Sequence, residues 1–427
     1  MFLLKRASII LLPLTCLTII IIANHDNKNE KISVKEEQSF FNETRFIPNG
    51  VGINVFGKPT EQEVKSMREA GIKWVRIDLV WSNIEQTKGS YNFRDTGYDQ
   101  FVGLLLEHNI RPYFILDYSN DLYEKEMSIT TSEGRAAFSE FVRVAAKRYG
   151  NLGAVWEVWN EPNLPRYWES NPSYEDYTLL VSRVAPIINE IDPSSAIVAP
   201  ALSGVRGESL VWLEETFKLG LLDYVDALSV HPYRKVEPET VAQDYDILQA
   251  LISTYTSKNV PIVSGEWGYY IENTADINTE EVRQAQNLTR MLLVNYWKGV
   301  PINILYEWKN SGADPNNMHD NYGLLRDPNT PKLSYQAIKT FSATLKGFYF
   351  SEKMTTESRD DYILKFKNSD GKTVLVLWTT GSDHIIDYSY PTGNGEIISM
   401  FGETKIINWN DKLSIRLSKS PVYLLVD

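Results

Sequence analysis

The 427 residues carry 43 Lys and Arg against 55 Asp and Glu, a formal charge of -12, and 43% of them are hydrophobic. A chain this acidic, with no Lys/Arg block, is poorly suited to nucleic acid, and its ordinary apolar content fits a globular fold with one large domain and one small one. The single cysteine, Cys16, leaves the rest of the chain without a disulfide, and five scattered histidines with no i, i+4 pair give no expectation of a metal site or a cofactor.

Lys5 and Arg6 precede an apolar run over 7–23, broken by Pro13, and a polar stretch over 24–45 follows it. That layout is a secretory signal, and at 17 residues the run also reaches the lower limit for a membrane anchor. A lipid-modified Cys16 is a third arrangement. All three imply export, the protein being secreted, periplasmic or tethered to the membrane by its N-terminus. The expected order is therefore a leader over 1–23 and a linker over 24–45.

From Asn49 onward short apolar runs alternate with amphipathic stretches. Strands are expected over 51–56, 74–81, 111–119, 154–160, 196–203, 224–233, 261–269 and 301–308. The first helix opens on a capping box, Thr60-Glu61-Gln62-Glu63, buries Val64, Met67 and Ala70 on one face and stops at Gly71. Further helices are expected over 97–108, 132–149, 174–191, 209–219, 240–257, 279–298 and 332–345. Eight strand-then-helix units give an α/β fold, a (β/α)8 TIM barrel over 46–346. Beyond it the pattern turns to alternating strands over 362–367, 373–379, 396–401, 412–417 and 422–425, with a hairpin turn at 368–371. The expectation for 347–427 is a C-terminal antiparallel β domain, sandwich-like, covering the barrel's flank.

The fourth strand breaks at Asn160-Glu161-Pro162 and the seventh ends at Glu266, between Gly265 and Trp267-Gly268. Strand ends of a barrel converge on one mouth, so two carboxylates more than a hundred residues apart can face each other across one pocket. Such a pair suits double displacement at a sugar's anomeric carbon, one group ionised to attack and one protonated to release the leaving oxygen. A solvated loop Glu is the plain alternative for either residue alone. Arg76, inside the apolar second strand, needs a buried partner, and Glu157 and Glu266 are both within the barrel's reach.

The segments WEVWNEPN (156–163), GEWG (265–268), LSVHPY (228–233) and YEWKN (306–310), with WVRIDLVWSNIEQTKGSYNF (74–93), resemble the clan A retaining glycoside hydrolases. The nearest likeness is glycoside hydrolase family 39, including its bacterial exopolysaccharide-degrading members, and it spans the whole barrel. The resemblance implies Glu161 as general acid/base, Glu266 as nucleophile and Asn160 as donor to the substrate's 2-hydroxyl. It implies that His231 and Tyr233 line the sugar subsite near the nucleophile, and that Arg76 keeps the nucleophile ionised. It also implies that Trp308 closes strand eight beneath the reacting sugar, with a cis peptide after it. Trp81, Trp168 and Trp267 lie on or beside strand-end loops, where their rings are candidates for stacking on substrate, whereas Trp74 and Trp156 are expected in the core.

The expected partner is a polysaccharide, neutral or cationic given the acidic chain, and the leading expectation is endo action on a β-linked cell-surface or biofilm matrix polymer. An exo-acting β-xylosidase-like enzyme and a non-catalytic carbohydrate-binding module are the alternatives. Long loops over 120–131, 163–173 and 309–331 wall the cleft in either case.

Overall fold

The computed structural model describes residues 50–169, 171–274 and 276–427, so the leader and linker expected over 1–45 lie outside the described residues. Eight parallel strands close on themselves: β1 (Gly50–Asn54), β2 (Trp74–Val80), β3 (Arg111–Asp117), β4 (Val155–Val158), β5 (Ala196–Ser203), β6 (Ala227–His231), β7 (Ile262–Trp267) and β8 (Ile302–Leu305). The helices are α1 (Glu61–Glu69), α2 (Trp81–Ile84), α3 (Tyr98–Glu107), α4 (Ser132–Tyr149), α5 (Tyr174–Ile191), α6 (Glu208–Lys218), α7 (Val241–Tyr255), α8 (Ile277–Trp297) and α9 (Leu333–Thr344). The capping box forms as the sequence implies: Thr60 accepts from the Glu63 amide while the Glu63 carboxylate takes the Thr60 amide at 2.9 Å.

Two apolar cores follow from the period-2 alternation of the strands. Trp74, Tyr113, Val155, Val198, Val263, Ile302 and Ile304 fill the barrel's inside. Their outward neighbours, with Trp156 among them, pack beneath the helices. Among the described residues no helix is long and apolar enough to cross a membrane.

A hairpin, β9 (Leu325–Asp327) and β10 (Thr330–Pro331), closes the long loop after β8. The C-terminal strands are β11 (Tyr349–Lys353), β12 (Asp361–Lys367), β13 (Thr373–Thr379), β14 (His384–Ser389), β15 (Gly393–Ile398), β16 (Thr404–Trp409), β17 (Lys412–Leu417) and β18 (Val422–Val426). Six form one sheet in the order β11-β12-β13-β18-β15-β16, and β14 pairs with β17 as a second, two-stranded layer. Strand β13 shows how it is held. Val374, Val376 and Trp378 join the core under the barrel's helices, while Leu375 and Leu377 meet Leu413, Ile415 and Leu417 of the second layer. Trp409, Tyr388 and Tyr390 pack in this second core.

A polar clamp ties the sheet to the barrel. The Trp378 indole donates to Glu239 at 2.7 Å, Lys419 bonds Glu237 at 2.8 Å, and the wholly buried Arg290 of α8 pairs with both glutamates. These glutamates lie on the loop that follows β6 and carries Tyr233.

Candidate active site

The site is built around Arg76 of β2, which is 1% exposed and donates to five side chains, His231 among them. It bonds Glu157 of β4 at 2.8 Å, Asn54 of β1 at 3.2 Å, Glu266 of β7 at 2.6 Å and Asn160, just past β4, at 2.8 Å. The two partners the sequence offers for Arg76 are thus both taken. Burial opposes its charge, but the Glu157 and Glu266 carboxylates hold its pKa well above the ordinary arginine value.

The three nearby glutamates differ in access, and access decides which can touch a ligand. Glu157 is 0% exposed and has Tyr113 at 2.8 Å and Ser229 as further donors, so it is a structural counter-ion. The Glu161 and Glu266 side chains keep 12% and 15% of their surface. Glu266 accepts from Arg76 on one oxygen and from the Tyr233 hydroxyl on the other at 2.8 Å, an all-acceptor setting suited to a carboxylate. Tyr233 is correspondingly held protonated, its pKa pushed up by burial and by Glu266.

Glu161 is gripped from the other side. His231 Nδ1 lies 2.9 Å from Glu161 Oε1, and His231 Nε2 faces Arg76 at 3.5 Å. Arginine only donates, so Nε2 is the acceptor and Nδ1–H donates to Glu161. Burial pushes the Glu161 carboxyl up, but the hydrogen bonds from His231 and Ser203 and the Arg76 charge outweigh it and hold the group below the usual glutamate value. The chain of contacts Glu266–Arg76–His231–Glu161 joins the two open carboxylates. His231 thus bonds Glu161 while lying against Arg76, and of the two residues only Tyr233 hydrogen-bonds Glu266.

Local backbone features aim these groups. After β4, Trp159 and Glu161 both take left-handed conformations, φ 69° and 47°, fixed by the Trp159 amide on Leu116 and the Glu161 amide on Ala201. In β7 the ladder slips between Ser264 and Trp267, a bulge that turns Glu266 inward and Trp267 out into the helix layer. Gly265 is required there, since a Cβ would lie 2.4 Å from Ser229 Oγ.

The tryptophans are where the sequence reading needs its main correction. Trp81, Trp168, Trp267 and Trp308 are each 1% exposed or less, with no ring face left for a sugar. Trp81 stacks on Tyr123 and Phe141, Trp168 packs against Trp159 and Tyr177, and Trp308 meets Tyr335. Strand β8 ends at Leu305 rather than 308, so the alternation that turns Ile302 and Ile304 inward does not extend to Trp308, which packs in the outer core. The non-proline cis peptide is likewise at Tyr306–Glu307, with another at Asp117–Tyr118.

Partly exposed tyrosines lie beside the two open glutamates instead. The partly exposed Tyr306 meets Phe56, Tyr233 and Tyr322 edge-on, and across the mouth Tyr118 stacks on Tyr167 with ring centroids 5.9 Å apart. The Asn160 amide donates to Tyr118 at 3.0 Å.

A family model described as "Cellulase (glycosyl hydrolase family 5)" matches residues 33–313. A β-xylosidase of Geobacillus stearothermophilus is 22% identical over 341 residues, 69% of this chain and 62% of that protein, so the chain spans less than two thirds of this relative. Among solved structures, a family 39 glycoside hydrolase from Bacteroides cellulosilyticus WH2 superposes with a TM-score of 0.77 at 25% identity, covering 89% of this chain and 81% of that one. A family 39 enzyme from Xanthomonas axonopodis pv. citri gives 0.64 at 15% identity, covering 89% and 94%.

Proposed function

Because the chain belongs to the cellulase family, glycosyl hydrolase family 5, we propose that it is a retaining glycoside hydrolase with Glu266 as nucleophile and Glu161 as general acid and base. The observation that carries this reading is the unequal treatment of the two open carboxylates. Glu266 is gripped as an anion by the Arg76 guanidinium and the Tyr233 hydroxyl, whereas Glu161 takes hydrogen bonds from His231 and Ser203 and none from a guanidinium. In the first step Glu266 attacks the anomeric carbon while the Glu161 proton passes to the leaving oxygen. In the second, Glu161 takes a proton from water, which attacks the same carbon and frees Glu266. The His231 hydrogen bond strengthens as Glu161 loses its proton, so it favours the transition state over the ground state. In this reading Asn160 donates to the 2-hydroxyl and the partly exposed Tyr306 contacts the sugar ring.

The substrate in this reading is a β-linked cell-surface or biofilm matrix polysaccharide cut internally by an exported enzyme, for which the long loops after β3, β4 and β8 and the apolar run over 7–23 are the support. An exo-acting β-xylosidase-like activity is the second reading, favoured by the Geobacillus relative named a β-xylosidase. Incubating the protein with a panel of polysaccharides and reading product length and anomeric configuration separates them. Oligomers of retained configuration are expected, and single sugars would favour exo action. Inverted products, or unchanged turnover in Glu266→Gln, would overturn the assignment.

A further inference from the structure

Tyr233 donates to Glu266 from a loop, and the two loops beside it are tied together from outside the site by Gln284 of α8. Gln284 is 0% exposed. Its Nε2 donates to the Tyr269 carbonyl, in the loop after β7, at 2.8 Å and to the Tyr322 carbonyl, in the loop after β8, at 3.0 Å. The Ser334 hydroxyl of α9 donates to its Oε1 at 2.9 Å. That network fixes which way the amide points. An oxygen cannot face two carbonyls, so both N–H groups are committed to the backbones of two different loops.

Both contacts lead to Tyr233. The Tyr322 ring meets the Tyr233 ring edge-on with centroids 5.9 Å apart, and the Tyr306 ring at 5.3 Å. The Tyr269 hydroxyl donates at 3.3 Å to the carbonyl of Val236, on the loop after β6 that carries Tyr233. The tied loops also run side by side. The Ile271 amide bonds the Asn321 carbonyl at 3.2 Å, and Gly268 passes so near that a Cβ there would lie 2.2 Å from the Tyr306 carbonyl oxygen. A leucine could fill the space of Gln284, but only an amide sets the spacing of two carbonyls from separate loops. Without it both carbonyls lose a buried donor.

We propose that Gln284 is a positioning residue for the nucleophile: by tying the loops after β7 and β8 it holds the Tyr233 hydroxyl on Glu266. The proposal rests on the reading of Glu266 as nucleophile. The step it governs most is the second one. In the glycosyl-enzyme intermediate Glu266 is an uncharged ester. Water attacks the anomeric carbon, its proton passes to Glu161, and the bond from that carbon to Glu266 breaks, returning the electron pair and the negative charge to Glu266. A hydroxyl already in place stabilises that charge as it forms, whereas a displaced one does not.

The test is a double-mutant cycle of Gln284→Met and Tyr233→Phe. Kinetics are read on the best-cleaved dinitrophenyl β-glycoside from a panel of xylose, glucose, galactose and glucosamine, whose leaving group departs readily and leaves the second step to limit turnover. Gln284→Met is expected to lower kcat by up to about 10²-fold, the scale of a misplaced reacting group. KM should fall with it as the intermediate accumulates, with a burst of dinitrophenol. In the Tyr233→Phe background the same change should cost less than about 2-fold, since the two residues act as a unit. Equal losses in both backgrounds, a fall in kcat at constant KM, or a Tyr233→Phe that turns over like the wild type would overturn the proposal and leave the glycosidase reading standing. Tyr269→Phe keeps ring and backbone and removes only the bond to Val236, so it decides the matter even where Gln284→Met does not fold. Its kcat and KM should fall together by about 2- to 10-fold, and wild-type values would refute the proposal. A wild type as inactive as Glu266→Gln would sink both readings.

Discussion

Replacing Arg76 by methionine separates what the central cation does for the fold from what it does for chemistry. The guanidinium is 1% exposed and is the only cationic partner of the fully buried Glu157 among the described residues, although Tyr113 and Ser229 still donate to that carboxylate. Breaking a buried ion pair by removing one partner costs about 3–5 kcal/mol, a large part of the roughly 5–15 kcal/mol that holds a typical domain together. Removing both partners is a different perturbation. Arg76→Met with Glu157→Met leaves no unpaired buried charge, and such a replacement is often near neutral, so urea unfolding should recover most of the loss. Turnover should not recover. Glu266 still lacks its 2.6 Å charged donor, worth about 1.5–3 kcal/mol, so kcat/KM on an aryl glycoside should stay about 10- to 150-fold down in the double variant. Recovery of activity together with stability would mean that Arg76 acts only through Glu157. A single variant that loses less than about 1 kcal/mol would refute the burial argument itself.

Three other outcomes are expected. Glu161→Gln should lose about 10²- to 10⁴-fold on substrates with poor leaving groups and far less on activated aryl glycosides, and equal losses on both would remove Glu161 from the acid role. His231→Leu takes away the N–H that steadies the Glu161 carboxylate, so the alkaline limb of the kcat/KM profile should move to higher pH; a limb that stays or falls would refute the tautomer assigned here. Glu307, 1% exposed, has its pKa raised by burial to about 7, so the folded protein binds its proton more tightly than the unfolded chain does. Its contribution is therefore full below the ordinary glutamate value and is lost as pH rises through about 7. Glu307→Gln should remove that loss, by at most about 3 kcal/mol between pH 4.5 and 8, and a wild type whose unfolding free energy shows no such decline relative to the variant would count against it.

The barrel was legible because its period is coarse. Eight apolar runs separated by capped amphipathic helices leave few alternative folds, and 132–149 and 174–191 are helices to the residue. The meeting of Glu161 and Glu266 could be inferred from strand ends and that of Arg76 from its need for a buried partner, whereas His231 and Tyr233 came from the family resemblance. The tryptophans could not be placed, because whether a residue at a strand end faces the pocket depends on where the strand stops and whether it bulges. Reading β8 three residues too long carried the inward alternation of 302 and 304 on to Trp308. The slip in β7 is invisible in GEWG. Strands β11, β14 and β16 escaped notice because exposed, polar positions dilute their alternation.

The clamp of Trp378, Lys419 and Arg290 on Glu237 and Glu239 limits how this enzyme can be cut down or recombined. A barrel ended at 346 would strip two of the three donors from the segment downstream of Tyr233 and bare the apolar flank of its helices. Grafting a foreign module onto that flank would have to supply an indole and an ammonium at matching places, so the appended sheet and the catalytic loop are parts that have to be exchanged together.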